Sequence, residues 1–91
     1  MGITTFAPVN KEVTVNSFYF TNRSRQFKSF PRQIEVDGQA VTFAESGLRL
    51  LLRHGQRLAQ LFDMSDGQQI YRLKLEDDHW PLVGVKAGAT V

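Results

Sequence analysis

The residues best equipped for chemistry lie between Thr21 and Ile34. There Arg23, Arg25, Lys28 and Arg32 supply four cations with no acid among them, and Phe27 and Phe30 supply two aromatic rings. Cations spaced along a surface neutralise phosphates, and exposed rings stack on the bases of single-stranded nucleic acid. This makes Arg23, Arg25, Lys28, Arg32, Phe27 and Phe30 the candidate site, with Tyr19 as a further ring and a polyanion such as nucleic acid as the expected partner. Four phosphate contacts predict a salt slope of about −3 to −4 with little sequence preference. The competing reading of the same segment is a solvated connection whose phenylalanines close one end of a sheet.

Other chemistries are poorly served. The chain has no cysteine, which removes disulfide scaffolds, thiolate metal sites and thiol catalysis together. The imidazoles are His54 and His79, and although Asp77 and Asp78 precede His79, one turn encircles an ion poorly. No motif brings a serine to a histidine, and neither Gly-x-Ser-x-Gly nor the phosphate-binding Gly-x-x-x-x-Gly-Lys pattern occurs. The expectation is therefore a non-catalytic binding module without cofactor or metal.

Charge separates along the chain. Residues 21–57 hold seven basic and three acidic side chains, whereas 58–91 hold three basic and five acidic. A net charge of only +2 weakens the polyanion reading, because dedicated nucleic-acid binders are usually more basic. The alternative function is a protein–protein interaction or accessory domain, with self-association as a homodimer included. Small sheets have edge strands to manage, and surface aromatics serve as interface anchors. A second basic surface, Arg57, Arg72 and Lys74 beside Ile70, is expected on the solvent face of the C-terminal strands.

At 91 residues with 42% hydrophobic positions, the whole chain is expected to form one small domain, fraying at 1–10 and 87–91. The densest apolar run, Leu48–Leu52, is interrupted by Arg49, so no membrane partner is expected. No basic segment followed by an apolar one opens the sequence, and the expected location is the cytoplasm. The sequon Asn22-Arg23-Ser24 is read as a chance occurrence.

The elements that must position these residues are punctuated by glycine. Asp37-Gly38, His54-Gly55 and Asp66-Gly67 are each followed by Gln and each mark a place for positive φ. Glu12–Phe20 alternates as a strand. Gln33–Val36 and Gln39–Phe43 flank Asp37-Gly38 as a type I′ hairpin. Arg57–Met64, Gln69–Glu76 and Trp80–Val85 form an antiparallel meander. The segment 45–54 offers two readings. Ser46 as cap, Leu48, Leu51 and Leu52 on one face and Gly55 as stop favour a short helix. Leu48, Leu50 and Leu52 on one face favour a strand. The helix is preferred. The predicted class is α+β, a mostly antiparallel sheet of about six strands with one helix (about 45–54) packed on it, in the order β-β-β-α-β-β-β. The alternative is an all-β meander with 45–54 as a strand. Leu48, Leu51, Leu52 and Leu58 are assigned to the core together with Val13, Ile34, Phe43, Phe62, Leu73 and Leu82, among others.

Overall fold

The computed structural model describes residues 6–23, 26–44 and 47–88; for 21–23 and 26–28 the backbone alone is considered. Among the described residues every regular element is a strand: β1 (Ala7–Glu12), β2 (Thr14–Arg23), β3 (Gln26–Val36), β4 (Gln39–Thr42), β5 (Leu48–His54), β6 (Arg57–Ser65), β7 (Gln69–Leu75) and β8 (Pro81–Ala87). They form two antiparallel sheets, one of five strands in the order β1-β8-β7-β6-β5 and one of three in the order β2-β3-β4. Of the stretches expected to fray, Ala7–Asn10 belong to β1 and Ala87 closes β8. Phe6 lies against Gly84, where a Cβ would come within 2.8 Å of its own Cβ, and its ring faces the Arg72 and Lys86 cations at 4.2 and 4.6 Å.

The turns follow from residue types. Asp37 and Gly38 take φ of 52° and 78°, the left-handed pair that a type I′ turn requires, and close β3 onto β4 with Val36 opposite Gln39. Asp77 and Asp78 adopt the same pair of signs, φ 51° and 63°, without glycine, which short polar side chains tolerate better than bulky ones. Glu76 and His79 then exchange backbone hydrogen bonds of 3.1 and 2.9 Å across that turn.

The chain changes sheets where apolar residues need covering. At Val13, whose N–H donates to the Trp80 carbonyl at 3.1 Å, it leaves β1 and enters β2. At Ala44, whose N–H donates to the Ser65 carbonyl at 2.8 Å, it returns from β4 toward the larger sheet. Between the sheets lie Val13, Phe30, Ile34 and Phe43 on one side and Phe62, Met64, Leu73 and Leu82 on the other. Phe30 meets Phe62 edge to face at 6.0 Å, and Phe43 meets Tyr71 at 5.6 Å. Each such side chain taken from water stabilises the fold by roughly 1.5–3 kcal/mol.

The helix expected over 45–54, and with it the α+β class, is overturned. Leu48–His54 is a strand whose every residue has a partner in β6, from Leu48 opposite Asp63 to His54 opposite Arg57. The helical signals were local. Gly55, with φ 65°, opens a two-residue reverse turn instead of stopping a helix, and a glycine with positive φ serves either end. Gly47 is not a weak helical position but a point of contact, because a Cβ there would run into the Asp63 carbonyl oxygen of β6. The core assignment fails in the same place: Leu48, Leu51, Leu52 and Leu58 are all exposed.

Candidate interaction surface

The strand pair β2–β3 runs in register from Thr14 opposite Glu35 out to Arg23 opposite Gln26, with slips on either side of Ser17. It places the backbones of Arg23, Phe27 and Lys28 at its far end, with Asn22 opposite Phe27 and Thr21 opposite Lys28. The side chains of those three residues, and all of Arg25, lie outside the described residues. Phe30 is buried against Phe62, so its ring is not presented for stacking. Tyr19 is half-buried and its hydroxyl donates to the Phe43 carbonyl at 2.7 Å. Arg32 is exposed, with its guanidinium carbon 5.8 Å from the centre of the Tyr19 ring. Of the six candidate residues, Arg32 is the one whose described side chain reaches solvent.

The expected basic ridge is largely paired. Asp63 accepts two hydrogen bonds from Arg72, both at 2.8 Å, and this hydrogen bonding to Asp63 raises the Arg72 pKa further, partly opposed by burial. Lys74 lies 3.2 Å from Glu76. His79 stands 3.8 Å from Glu12, and among the described residues no group of three or more His, Asp or Glu side chains is arranged to hold a metal ion.

A different region stands out. In the β5–β6 hairpin, register places Leu48, Leu50 and Leu52 on one face with Ala59 and Leu61, and Arg49, Leu51 and Arg53 on the other with Leu58, Gln60 and Phe62. Phe62 faces the three-stranded sheet, so the second set is the inner face. Leu48, Leu51 and Leu58 are 55%, 66% and 57% exposed, and Leu50 and Leu52 are exposed as well. Arg49 donates to the Gln60 side chain at 2.6 Å, which holds that guanidinium over the inner face. Leucines are therefore exposed on both faces of one hairpin, although Ala59 on the first face and Phe62 on the second are buried. Contiguous exposed apolar surface of this kind marks binding sites in soluble domains.

An aromatic series leads from the core toward solvent nearby. Phe62 touches Trp80 with ring centres 5.4 Å apart, Trp80 touches Phe18 at 6.0 Å and Phe18 touches Phe20 at 6.4 Å. Phe20, at the outer end, is 76% exposed. The signal for the leucine hairpin was present in the sequence as the Leu48, Leu50, Leu52 alternation, and assigning those residues to a helix hid it.

The other end of β6 is tied down. Asp66 Oδ1 accepts the N–H groups of Gln68 and Gln69 at 2.8 and 2.7 Å, and Ser65 Oγ accepts that of Gly67 at 3.0 Å. Burial alone would raise the Asp66 pKa. The donors at Gln69 and Gln68 and the Tyr71 hydroxyl outweigh it and bring the carboxyl below its ordinary value. Tyr71 shifts upward, first through burial and then through the adjacent Asp66 charge.

Comparison of the chain with protein families, with characterised proteins and with solved structures finds no match. No helix among the described residues is long and apolar enough to cross a membrane.

Proposed function

We propose that this chain is a non-catalytic protein-interaction domain that receives its partner on the β5–β6 hairpin. The observation carrying the proposal is the exposure of Leu48, Leu50, Leu51, Leu52 and Leu58 on one hairpin of a small domain. Covering an exposed leucine is worth roughly 1.5–3 kcal/mol when burial is complete. Several leucines on a two-stranded ribbon in unbroken register therefore supply an anchor on regular structure instead of on a loop. The exposed Arg53 and Arg57 at the hairpin tip give this surface a cationic rim, the usual arrangement of apolar centre and polar margin. The polyanion reading is the weaker one, since the Phe30 ring lies in the core and is not presented for stacking.

The test is a photo-crosslinking residue at position 51, with the same residue at exposed Gln39 on the far sheet as control. A discrete adduct formed in cells at position 51 and absent at 39 is expected. Equal labelling at both positions, or none at 51, overturns the proposal.

A further inference from the structure

Among the described residues each sheet ends in two open strands, and three of the four carry features that discourage another strand from joining. Strand β1 contains Pro8, which has no N–H, and loses register with β8 between Pro8 and Lys11. Strand β2 slips against β3 on both sides of Ser17. Strand β4 is only four residues long. Strand β5 is different: it has seven residues, no proline and no break in register. Its two arginines stand on a single face, and Arg49 is engaged with Gln60.

We propose that β5 pairs antiparallel with β5 of a second copy of this chain, about a two-fold axis at Leu50, joining two five-stranded sheets into one. The proposal rests on the hairpin's being an interaction surface and names what covers it. The two-residue turn makes His54 and Arg57 the hydrogen-bonded closing pair. Alternation then directs the backbone groups of Leu52, Leu50 and Leu48 toward β6 and those of Arg53, Leu51 and Arg49 toward the open edge. These outward groups are the ones a second copy would engage.

The side chains select the register. With the axis at Leu50, Leu48 faces Leu52 of the second copy, Leu50 faces its own equivalent and Leu52 faces Leu48. The outer face becomes a continuous leucine row flanked by Leu61 and Ala59 of both copies. On the inner face Arg49 lies opposite Leu51, and Arg53 lies opposite Gly47. Moving the axis one residue to Leu51 places Arg49 directly opposite Arg53 twice, and like charges across a strand pair are destabilising. Moving it to Leu52 sets Leu50 against His54 and shortens the leucine row. Strand β5 is thus its own complement in one register, which is the requirement for a closed, isologous dimer.

Because the chain lacks cysteine, Leu50→Cys introduces the only thiol. At the axis, two copies of residue 50 form a non-hydrogen-bonded pair about 4.5 Å apart at Cα, within disulfide reach. Mild oxidation is expected to give a covalent dimer from Leu50→Cys and none from Leu52→Cys, whose copies are four residues out of register. Light scattering over a concentration series is expected to show the unmodified chain passing from monomer to dimer. Leu51→Pro removes an N–H that faces the open edge, so it should remain monomeric while keeping its circular dichroism. If that variant unfolds, Leu51→Lys serves in its place. A monomer at all concentrations overturns the dimer, and the adduct at position 51 then decides separately whether another protein docks there. A dimer in which Leu51→Cys crosslinks and Leu50→Cys does not overturns the axis and leaves the interaction reading standing.

Discussion

Strand β6 passes through two environments. Its Phe62 and Met64 are 2% and 0% exposed, whereas Leu58, on the same face and four residues before Phe62, is mostly in water. Backbone pairing differs between the two ends: β5 lies opposite Arg57–Asp63, whereas β7 pairs only with Gln60–Ser65, so Phe62 has a strand on each side and Leu58 has one. The layer above changes as well. Phe30 of β3 and Trp80 both pack against Phe62, while Leu58 lies beside Arg53 and stays exposed. Alternation along a strand fixes which side chains share a face. It does not fix whether a second sheet lies over that face.

The comparison breaks most sharply on truncation. Phe62→Ala should cost about 3–5 kcal/mol, because it removes a large buried ring and leaves a cavity between the sheets. Leu51→Ala should fall within about 0.5 kcal/mol of the parent, as surface substitutions do. Both are read from urea denaturation at low protein concentration, with unchanged slope showing that the unfolding surface is the same. A Leu51→Ala cost approaching that of Phe62→Ala would mean the hairpin is covered within a single chain.

The β3–β4 hairpin and the meander were legible in the sequence for the same reason that Phe62 is easy to place, whereas Gln26–Arg32 of β3 was read as a connection or binding segment and Ala7–Asn10 of β1 as a frayed tail. Asp37-Gly38 demands a turn that only paired strands accept, and the alternating runs after Gly55 and Gly67 have no competing helical period. Segment 45–54 was not legible because leucine suits both elements and its spacing fits both periods. The decision came from outside the segment, from the ladder it forms with Arg57–Asp63. The aromatic part of the candidate site met a similar ambiguity. Phe30 and Tyr19 look like stacking rings until a core needs them, and the slips around Ser17 decide which residues of β2 and β3 turn inward, an irregularity that no local pattern announces. The exposed leucines were misassigned through the general rule that leucine is buried, which describes a tendency and leaves room for apolar side chains at the surface.

The buried end of the β5–β6 pair gives the next test. Gly47 lies just before β5, where a Cβ would collide with the Asp63 carbonyl oxygen and approach Met64 Sδ at 3.0 Å. The methionine can move aside, but the backbone oxygen cannot do so without displacing the ladder. Gly47→Ala should therefore destabilise by about 1–3 kcal/mol, the range for overpacking. It should also raise hydrogen exchange of the β5 amides bonded to β6 more than that of β7. A neutral result would show that the hairpin is loosely attached and that its overhang is a matter of mobility.

The smallest effect concerns how the two ends of β6 are closed. The turn at Gly55 is held by backbone conformation, whereas the turn after Ser65 is held by Asp66 accepting from Gln68 and Gln69. The Asp66 carboxyl lies below its ordinary value of 3.8 in the folded chain. A depressed folded-state pKa contributes stability that is present above the unfolded value and is lost as pH falls through the lower folded one. Acidification below about pH 4 should therefore weaken the parent more steeply than Asp66→Asn, whose amide oxygen accepts the same two N–H groups without titrating. The difference is small because the carboxyl is mostly solvated, and it is read as a difference in slope between the two stability profiles from pH 5 to pH 2. Parallel profiles would show that the carboxylate's charge adds nothing to this turn and that hydrogen-bond geometry alone holds it. The two ends of β6 would then differ in their strand neighbours, in turn geometry and in what packs over them, and not in charge.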